Sequence, residues 1–365
     1  MGRTSIEGRV VWEMAFLFLL SFAAVALAQH FRTADPPYMR QMLAASEDMK
    51  RALDVVAADR TNDGPPLDPV HDINLTGMIG GLFTTTTSTT GNLSAKRTTT
   101  NPNVAGLIVH LLHQAGVRDG DYVAVGGSGS FPALLVASLC AAKAMNLQVG
   151  LIVSLGASQW GANLPGLTWL DIEAMLSRAD LFPQGYETLA ASVGGSDDLG
   201  SDLSSAGRSA LRERILEAGV ALIEKKDLAL NVAARMGIYR AHAPAGRVAA
   251  FINIGGSWAN LGTSAEVLAL KPGVAEVRDL PQQNSWGVLQ TMAAEGVPII
   301  HLLNIAALAD EYGVPWDPTP LPTPGEWHPE GAAPRLPLLM ISIAYGGAIL
   351  VWLAVLRARA ATSRR

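Results

Sequence analysis

The sequence contains almost no cysteine and, in its middle part, fewer cationic than anionic side chains. Cys140 is the only cysteine among 365 residues, so the chain cannot form an internal disulfide. Residues 29–335 contain 21 Lys and Arg but 30 Asp and Glu. This excess of negative charge argues against a broad groove for nucleic acid. The middle of the chain must therefore rely on an apolar core, and any anion must be bound by a local cluster of donors.

Two long apolar segments lie near the ends of the sequence. Residues 10–28 are interrupted only by Glu13, and residues 336–356 contain no charged side chain. An α-helix rises about 1.5 Å per residue, so each segment is long enough to cross the roughly 30 Å hydrocarbon core of a bilayer. We predict a transmembrane helix at each segment.

Basic residues flank both apolar segments on their outer sides: Arg3 and Arg9 before the first, and four arginines within 357–365 after the second. Positive charge stays on the cytoplasmic side of a membrane. We therefore predict a two-pass protein of the cell membrane, with its main domain extracytoplasmic. Ala-Leu-Ala at 26–28 also fits a signal-peptide cleavage site, so the first segment is either an anchor or a cleaved signal.

The sequence divides into seven predicted parts. In chain order they are a cytoplasmic N-terminus (1–9), a transmembrane helix or signal anchor (10–28), a membrane-proximal helical segment (29–64), an extracytoplasmic α/β domain (65–312), a proline-rich linker (313–335), a second transmembrane helix (336–356) and a basic cytoplasmic tail (357–365).

Short apolar strands alternate with helices from residue 103 onward. The strands predicted at 121–125, 148–154 and 248–254 each run into a glycine-rich turn. Strand, glycine-rich turn and helix in succession are typical of a parallel sheet covered on both faces by helices. We predict an α/β fold with three layers and an open, mainly parallel sheet.

Three of the predicted strand ends carry glycine and serine together, at 126–130, 156–158 and 255–257. In open α/β sheets, ligands bind outside the carboxyl ends of the strands, where small residues let backbone N–H groups approach an anion. The alternative is that the glycines form tight turns and the serines cap helices. The candidate ligand-binding residues of this crevice are Ser128, Gly129, Ser130, Ser158, Asn163, Ser257 and Asn260.

Two adjacent cations, Lys96 and Arg97, stand out in the acidic middle of the chain. They precede three threonines and the predicted start of a helix at Asn103, so ammonium, guanidinium, hydroxyl and backbone donors could converge on one carboxylate or phosphate. The alternative is a solvated basic turn. The candidate anion site comprises Lys96, Arg97, Thr98, Thr100 and Asn101.

No pattern in the sequence assigns catalytic residues. Residues 126–130 nearly match G-x-S-x-G, but Ser130 occupies the position of the final glycine. Ser128 and Ser130 are weak candidates for a nucleophile, with Lys96 as an activating amine. No metal and no cofactor is predicted, because no repeated ligand spacing is present.

Three runs of residues resemble the poly-gamma-glutamate system protein family. They are Leu-Ser-Ala-Lys-Arg-Thr-Thr-Thr-Asn-Pro at 93–102, Gly-Ser-Phe-Pro-Ala at 129–133, and Gly-Ala-Ser-Gln-Trp-Gly-Ala-Asn at 156–163 followed by Thr-Trp-Leu-Asp at 168–171. The resemblance covers most of 65–310 and keeps the order of the motifs. The threonine-rich stretch 80–90 departs from it, because a more varied, proline-containing sequence is expected there.

The resemblance implies a bacterial cell-envelope protein that accompanies poly-γ-glutamate (capsule) synthesis; it carries over no catalytic residue. The implied partners are the poly-γ-glutamate ligase and its membrane partner, the anionic γ-glutamyl polymer and the lipid bilayer. We expect an accessory protein of biosynthesis or export that binds the polymer or the synthase complex. The alternatives are a hydrolase or transferase acting on the γ-glutamyl polymer, and a scaffold that binds no ligand.

Overall fold

The computed structural model describes residues 3–32, 36–62, 64–277, 282–329 and 335–362; of the two terminal helices, only parts have described side chains. The chain separates into two units. One contains Met1–Met39 and His328–Arg365, and the other contains Arg40–Trp327. We refer to the second as the α/β unit.

The first unit contains two long helices, α1 (Arg3–Arg32) and α12 (Arg335–Thr362), which include the apolar segments 10–28 and 336–356. They pack against each other, and the Ser21 Oγ and Tyr345 Oη hydroxyls are 2.8 Å apart. Among the residues described with their side chains, no helix meets the length and hydropathy needed to span a bilayer. The predicted basic flanks, at 3–9 and 357–365, lie outside the described side chains.

The α/β unit contains the remaining described elements. Its helices are α2 (Met39–Asn62), α3 (Leu93–Thr99), α4 (Asn103–Gln114), α5 (Pro132–Ala144), α6 (Trp169–Arg178), α7 (Ser205–Glu217), α8 (Leu228–His242), α9 (Trp258–Leu261), α10 (Val288–Ala294) and α11 (Ile305–Tyr312). Its strands are β1 (Thr87–Thr89), β2 (Tyr122–Ser128), β3 (Gln148–Ser154), β4 (Ala157–Ser158), β5 (Thr188–Ser192), β6 (Ala221–Leu222), β7 (Ala250–Ile254), β8 (Gly273–Ala275) and β9 (Ile299–Leu302).

Seven strands form one sheet in the order β6-β5-β3-β2-β7-β9-β8. All neighbours in it are parallel except β8, which runs antiparallel to β9 at one edge. From β2 the chain moves outward through β3, β5 and β6, and then returns to place β7 on the other side of β2. This reversal makes the carboxyl ends of β2 and β7 the position where such sheets bind ligands.

Helices cover both faces of the sheet, so the predicted mainly parallel α/β fold is confirmed. The alternation of side chains along β2 shows why. A Cβ atom at Gly126 would meet Phe251 and Asn260 on one face, whereas a Cβ atom at Gly127 would meet Leu135 of α5 on the other. Both faces are buried along the whole of β2.

The start of α3 differs from the sequence-based expectation. The sequence predicts an anion site, or alternatively a solvated basic turn, at 94–102 ahead of a helix, but 93–99 are themselves helical. The side chain of Asn92 caps this helix, its Oδ1 accepting a hydrogen bond from the Ala95 backbone N at 3.0 Å. Because successive residues on a helix point in different directions, Lys96 and Arg97 diverge.

Part of the predicted proline-rich linker belongs to the α/β unit. Residues 313–327 fold back on α3 and α4: Arg97 pairs with Asp317, and Asn103 donates from Nδ2 to the Thr323 carbonyl at 2.9 Å. The indole Nε1 of Trp327 donates to the Tyr312 carbonyl at 2.9 Å. Arg97 and Asn103 each lie 220 residues from their partners in this segment. The proline-rich composition of 313–335 therefore gave no indication of these contacts.

Helix α7 packs directly against the threonine-rich segment at Gly207, where a Cβ atom would lie 2.0 Å from the Thr85 carbonyl oxygen. We expect Gly207→Ala to lower the free energy of unfolding by about 1–3 kcal/mol, since backbone must move to admit a methyl group. Gly237→Ala is the matched control, because that helical glycine is exposed and has open space around it. It should raise stability by about 0.5–1 kcal/mol. Urea unfolding of the full-length chain measures the stability of both variants. Equal changes in the free energy of unfolding would contradict the close contact between Gly207 and Thr85.

Candidate functional site

A cavity of about 720 Å³ opens at the carboxyl ends of the parallel strands. Ser128 at the end of β2, Ser158 shortly after β3 and Ser257 after β7 all line it. The three glycine- and serine-containing strand ends therefore converge on one crevice, as predicted. A volume of this size is within the range of small-molecule and peptide sites.

Most residues that line the cavity are Ser, Thr, Gly or Asn, and two are Trp. Trp258 and Trp316 line it with 39% and 43% of their surfaces exposed. Among the lining residues, Lys96 and Asp202 are the ones with ionisable side chains. The polar lining residues are Ser88, Thr89, Thr90, Asn92, Lys96, Ser128, Ser130, Ser154, Ser158, Ser196, Asp202, Ser257 and Asn304.

Lys96 projects from α3 into this wall and is only 3% exposed. Its Nζ donates to Ser158 Oγ at 2.7 Å and to the Ser130 carbonyl oxygen. The same atom lies 3.8 Å from the centre of the Phe131 ring. One amine thus connects α3, the loop after β2 and strand β4.

Burial lowers the pKa of Lys96 to about 7. The ring face of Phe131 favours the ammonium form by about 1–2 kcal/mol, but loss of hydration outweighs it. No carboxylate is among the partners that the structure gives this amine. Near neutral pH, Lys96 therefore divides between its charged and neutral forms.

The serines around Lys96 differ in their hydrogen bonding. The Ser130 hydroxyl accepts from the Ser158 backbone N at 3.0 Å, which fixes the loop after β2 against β4. Ser128 is buried, and its hydroxyl has no hydrogen-bond partner within the described ranges. Ser158 is the serine whose hydroxyl meets the amine. The sequence singled out Ser128 and Ser130 as candidate nucleophiles, whereas the geometry favours Ser158.

A buried ion pair supports the floor of the cavity. Arg235 and Asp198 are fully buried, with Nη2 and Oδ2 2.9 Å apart. Asp198 Oδ1 accepts from the hydroxyls of Ser154 and Ser192, each at 2.7 Å. The Ser154 hydroxyl also lies 2.7 Å from that of Ser257. The ion pair thereby orients hydroxyl groups at the ends of three strands.

The predicted anion cluster does not assemble at one point. Arg97 forms a two-point ion pair with Asp317, with Nε 2.6 Å from Oδ1. Thr98 and Thr100 donate their hydroxyls to the helix carbonyls of Ser94 and Arg97. Apart from Lys96, none of these residues lines the cavity.

Asn101 has a local role as well, because its Oδ1 accepts from the Asn103 backbone N at 3.0 Å. Its position at the end of α3 makes it part of the connection to α4 rather than of the cavity wall.

Gly129, Asn163 and Asn260 support the loops without lining the cavity. A Cβ atom at Gly129 would lie 2.3 Å from the Leu155 carbonyl oxygen. Asn163 accepts from the Gly81 N and donates to the Gly81 O, both at 2.8 Å, and so holds the threonine-rich segment. Asn260 packs against Gly126.

Sequence reasoning missed several residues of the site, among them Ser154, Asp198, Asp202, Arg235, Trp258, Asn304 and Trp316. Ser154 ends a strand that was predicted with its observed bounds, so its place at the crevice could have been found. Arg235 and Asp198 gave no such signal, because their pairing joins a helix to a loop 37 residues earlier.

Among the described residues, no histidine is a contact that the structure gives to Lys96 Nζ or Ser158 Oγ. His301 on β9 is buried, its Nδ1 lies 3.1 Å from Asn253 Nδ2, and burial lowers its pKa to about 4. Within the described ranges, no group of three or more His, Cys, Asp or Glu side chains is arranged to hold a metal ion.

Comparison with known proteins adds no relative: no family model, no curated protein and no solved structure matches this chain significantly.

Removing the charge of Asp198 should strongly destabilise the chain. Asp198→Asn leaves the guanidinium of Arg235 buried without its counter-ion, and we expect a loss of about 3–5 kcal/mol in the free energy of unfolding. The control is Asp54→Asn, which breaks the exposed pair Lys50–Asp54 in α2 and should cost less than about 1 kcal/mol. Urea unfolding of the full-length variants compares them, and similar losses would show that the buried pair has no special role.

Proposed function

We propose that this chain is a membrane-anchored accessory protein of poly-γ-glutamate biosynthesis or export, and that the cavity of its α/β unit binds a segment of the γ-glutamyl polymer. The observation that carries the binding role is the cavity at the carboxyl ends of β2, β3 and β7, lined by hydroxyl groups and by Lys96. The polymer is suggested by the motif resemblance of residues 93–171.

The cavity offers the donors that a carboxylate requires. Each γ-linked residue leaves a free α-carboxylate, which accepts hydrogen bonds from hydroxyl and ammonium groups. Ser128 supports this role because its buried hydroxyl has no partner in the part of the chain that the structure describes. A bound carboxylate would satisfy it.

The two exposed indoles suit the rest of a glutamyl residue. Trp258 and Trp316 line the cavity and present apolar surface to solvent. The methylene groups of a γ-linked chain can pack on such surfaces while its carboxylates face the hydroxyls. The site therefore matches a ligand that alternates apolar and anionic groups.

The charge distribution limits how much polymer is bound. Residues 29–335 carry nine more anionic than cationic side chains, so their surface repels a long polyanion. A cavity of about 720 Å³ holds a ligand of drug size or a short segment. The proposal is therefore that the α/β unit holds a chain end or a few residues.

The proposed location is the outer side of the cell membrane. It is supported by the apolar segments 10–28 and 336–356, by the helices α1 and α12 that contain them, and by exposed apolar side chains such as Phe18 and Leu350. An external domain beside the synthase would receive the polymer as it emerges. Binding to the synthase complex itself is the alternative use of the same unit.

Filling the cavity should abolish binding of a short γ-linked glutamate oligomer. Gly256 lines the cavity, and a Cβ atom there meets only a Leu303 methyl carbon at 3.7 Å, so Gly256→Phe places a ring in open space. We expect at least tenfold weaker binding by isothermal titration calorimetry, about 1.4 kcal/mol or more. Gly237→Phe, on an exposed helix face, should bind normally. Equal affinity of both variants would overturn the assignment of the cavity.

Protease accessibility tests the location. Added to intact spheroplasts that express the chain, protease should digest residues 40–327, because the α/β unit is proposed to face outward. A cytoplasmic marker protein in the same cells serves as the control and should survive until lysis. Digestion of the α/β unit only after lysis would reverse the proposed topology.

A further inference from the structure

Lys96 and Ser158 have the contact that nucleophilic catalysis requires. Nζ and Oγ are 2.7 Å apart, both residues line the cavity, and the amine is almost fully buried. A serine hydroxyl is a weak nucleophile until a neighbouring base accepts its proton, and a desolvated lysine can serve as that base. We propose that Ser158 is a nucleophile and Lys96 its general base, so that the α/β unit hydrolyses an amide bond through an acyl-serine intermediate.

The orientation of the amine fits this role. A neutral amine has two N–H donors and one lone pair. An N–H directed at the Ser130 carbonyl fixes the position of Nζ, and the lone pair is then available to the Ser158 hydroxyl proton. The Ser130 hydroxyl, which accepts from the Ser158 backbone N, holds the nucleophile from its other side.

The reaction balances with water as the only co-reactant. Ser158 Oγ attacks the amide carbonyl carbon while Lys96 takes its proton; the C–N bond breaks, and the leaving amine receives that proton. Water then attacks the acyl ester, giving a proton to Lys96, and the ester C–O bond breaks. The proton returns to Ser158 Oγ, and a carboxylic acid is released.

The charged groups near Lys96 do not contact its amine, so burial is the main influence on its protonation. On α3 itself, Arg97 is paired with Asp317. The contacting loop 128–131 and strand β4 carry no ionisable side chain. The packed helices α5 and α11 carry other ionisable groups, of which Lys143 pairs with Asp48 and Glu311 with Lys271.

The other ionisable groups on these two helices are Cys140, Asp310 and Tyr312, and Asp202 lines the cavity from the loop after β5. None of these is a contact of Nζ. The neutral fraction of Lys96 therefore follows the amine's own pKa of about 7.

A neutral alkyl fluorophosphonate tests the pair directly on the full-length chain. Ser158 Oγ forms a bond to phosphorus, the P–F bond breaks, fluoride leaves, and Lys96 takes the hydroxyl proton. We expect one adduct by intact mass, located at Ser158 by peptide mass spectrometry. Its rate should rise about tenfold from pH 6 to pH 8, as the neutral fraction of Lys96 rises from about one tenth to about nine tenths.

Two variants separate catalysis from structure. Lys96→Met keeps an unbranched chain in the buried site and should slow labelling at least 100-fold, while the variant keeps a cooperative unfolding transition well above the labelling temperature. Ser158→Ala should give no adduct. Ser138→Ala removes another buried serine, on α5 and outside the cavity, and should leave labelling unchanged.

Several outcomes would overturn the assignment: no adduct on the folded parent chain, an adduct at a residue other than Ser158, or a Lys96→Met rate equal to that of the parent. A rate that does not change with pH would also overturn the role of Lys96. Because the probe carries no carboxylate, these results are independent of oligomer binding. If the chain binds the oligomer but forms no adduct, the proposed binding function stands and the proposed catalysis by Ser158 and Lys96 is wrong.

Discussion

The buried amine of Lys96 is the contact on which the rest of the site depends. It joins α3, the loop after β2 and strand β4, whose contacting residues Lys96, Ser130 and Ser158 are separated in sequence by 34 and 28 residues. Two hydrogen bonds and one aromatic face only partly replace the water that burial removes, so the pKa lies near 7 and not near its usual value. A fully paired lysine would have stayed charged. The wall of this cavity therefore contains a group whose charge changes under ordinary conditions.

The floor of the cavity also contains a buried cation, but this one is paired with a carboxylate. Arg235 is buried as deeply as Lys96, but it faces the carboxylate of Asp198 at 2.9 Å. An arginine does not lose its proton in proteins, so a buried guanidinium needs either a counter-ion or several acceptors, and Arg235 has the carboxylate of Asp198. The pair then holds the hydroxyls of Ser154 and Ser192 in fixed positions. The ion pair thus keeps the serine hydroxyls in place, while the charge of Lys96 in the wall changes with pH.

Much of the fold could be predicted from the sequence, because apolar runs and glycine turns report local structure. The strand 148–154 and the helix 305–312 have their predicted bounds. The strands β6 and β8 have two and three residues and carry too little pattern to be found. The convergence of Ser128, Ser158 and Ser257 followed from strand polarity. The partners of Lys96 and Arg97 did not, since a helix start at 93 sends the two side chains in different directions and Asp317 lies 220 residues away.

The proposed binding and the proposed hydrolysis require different protonation states of Lys96, and a pKa of about 7 makes both states accessible near neutral pH. A carboxylate beside the amine stabilises the ammonium form, whereas attack by Ser158 requires the neutral form. A γ-linked segment whose carboxylate sits against Lys96 would thus be held and protected from cleavage. A segment placed one residue further would leave the amine neutral and expose its amide bond to Ser158. The register of the bound chain, set by the hydroxyls of the floor and the indoles of Trp258 and Trp316, would then decide between holding the polymer and cutting it.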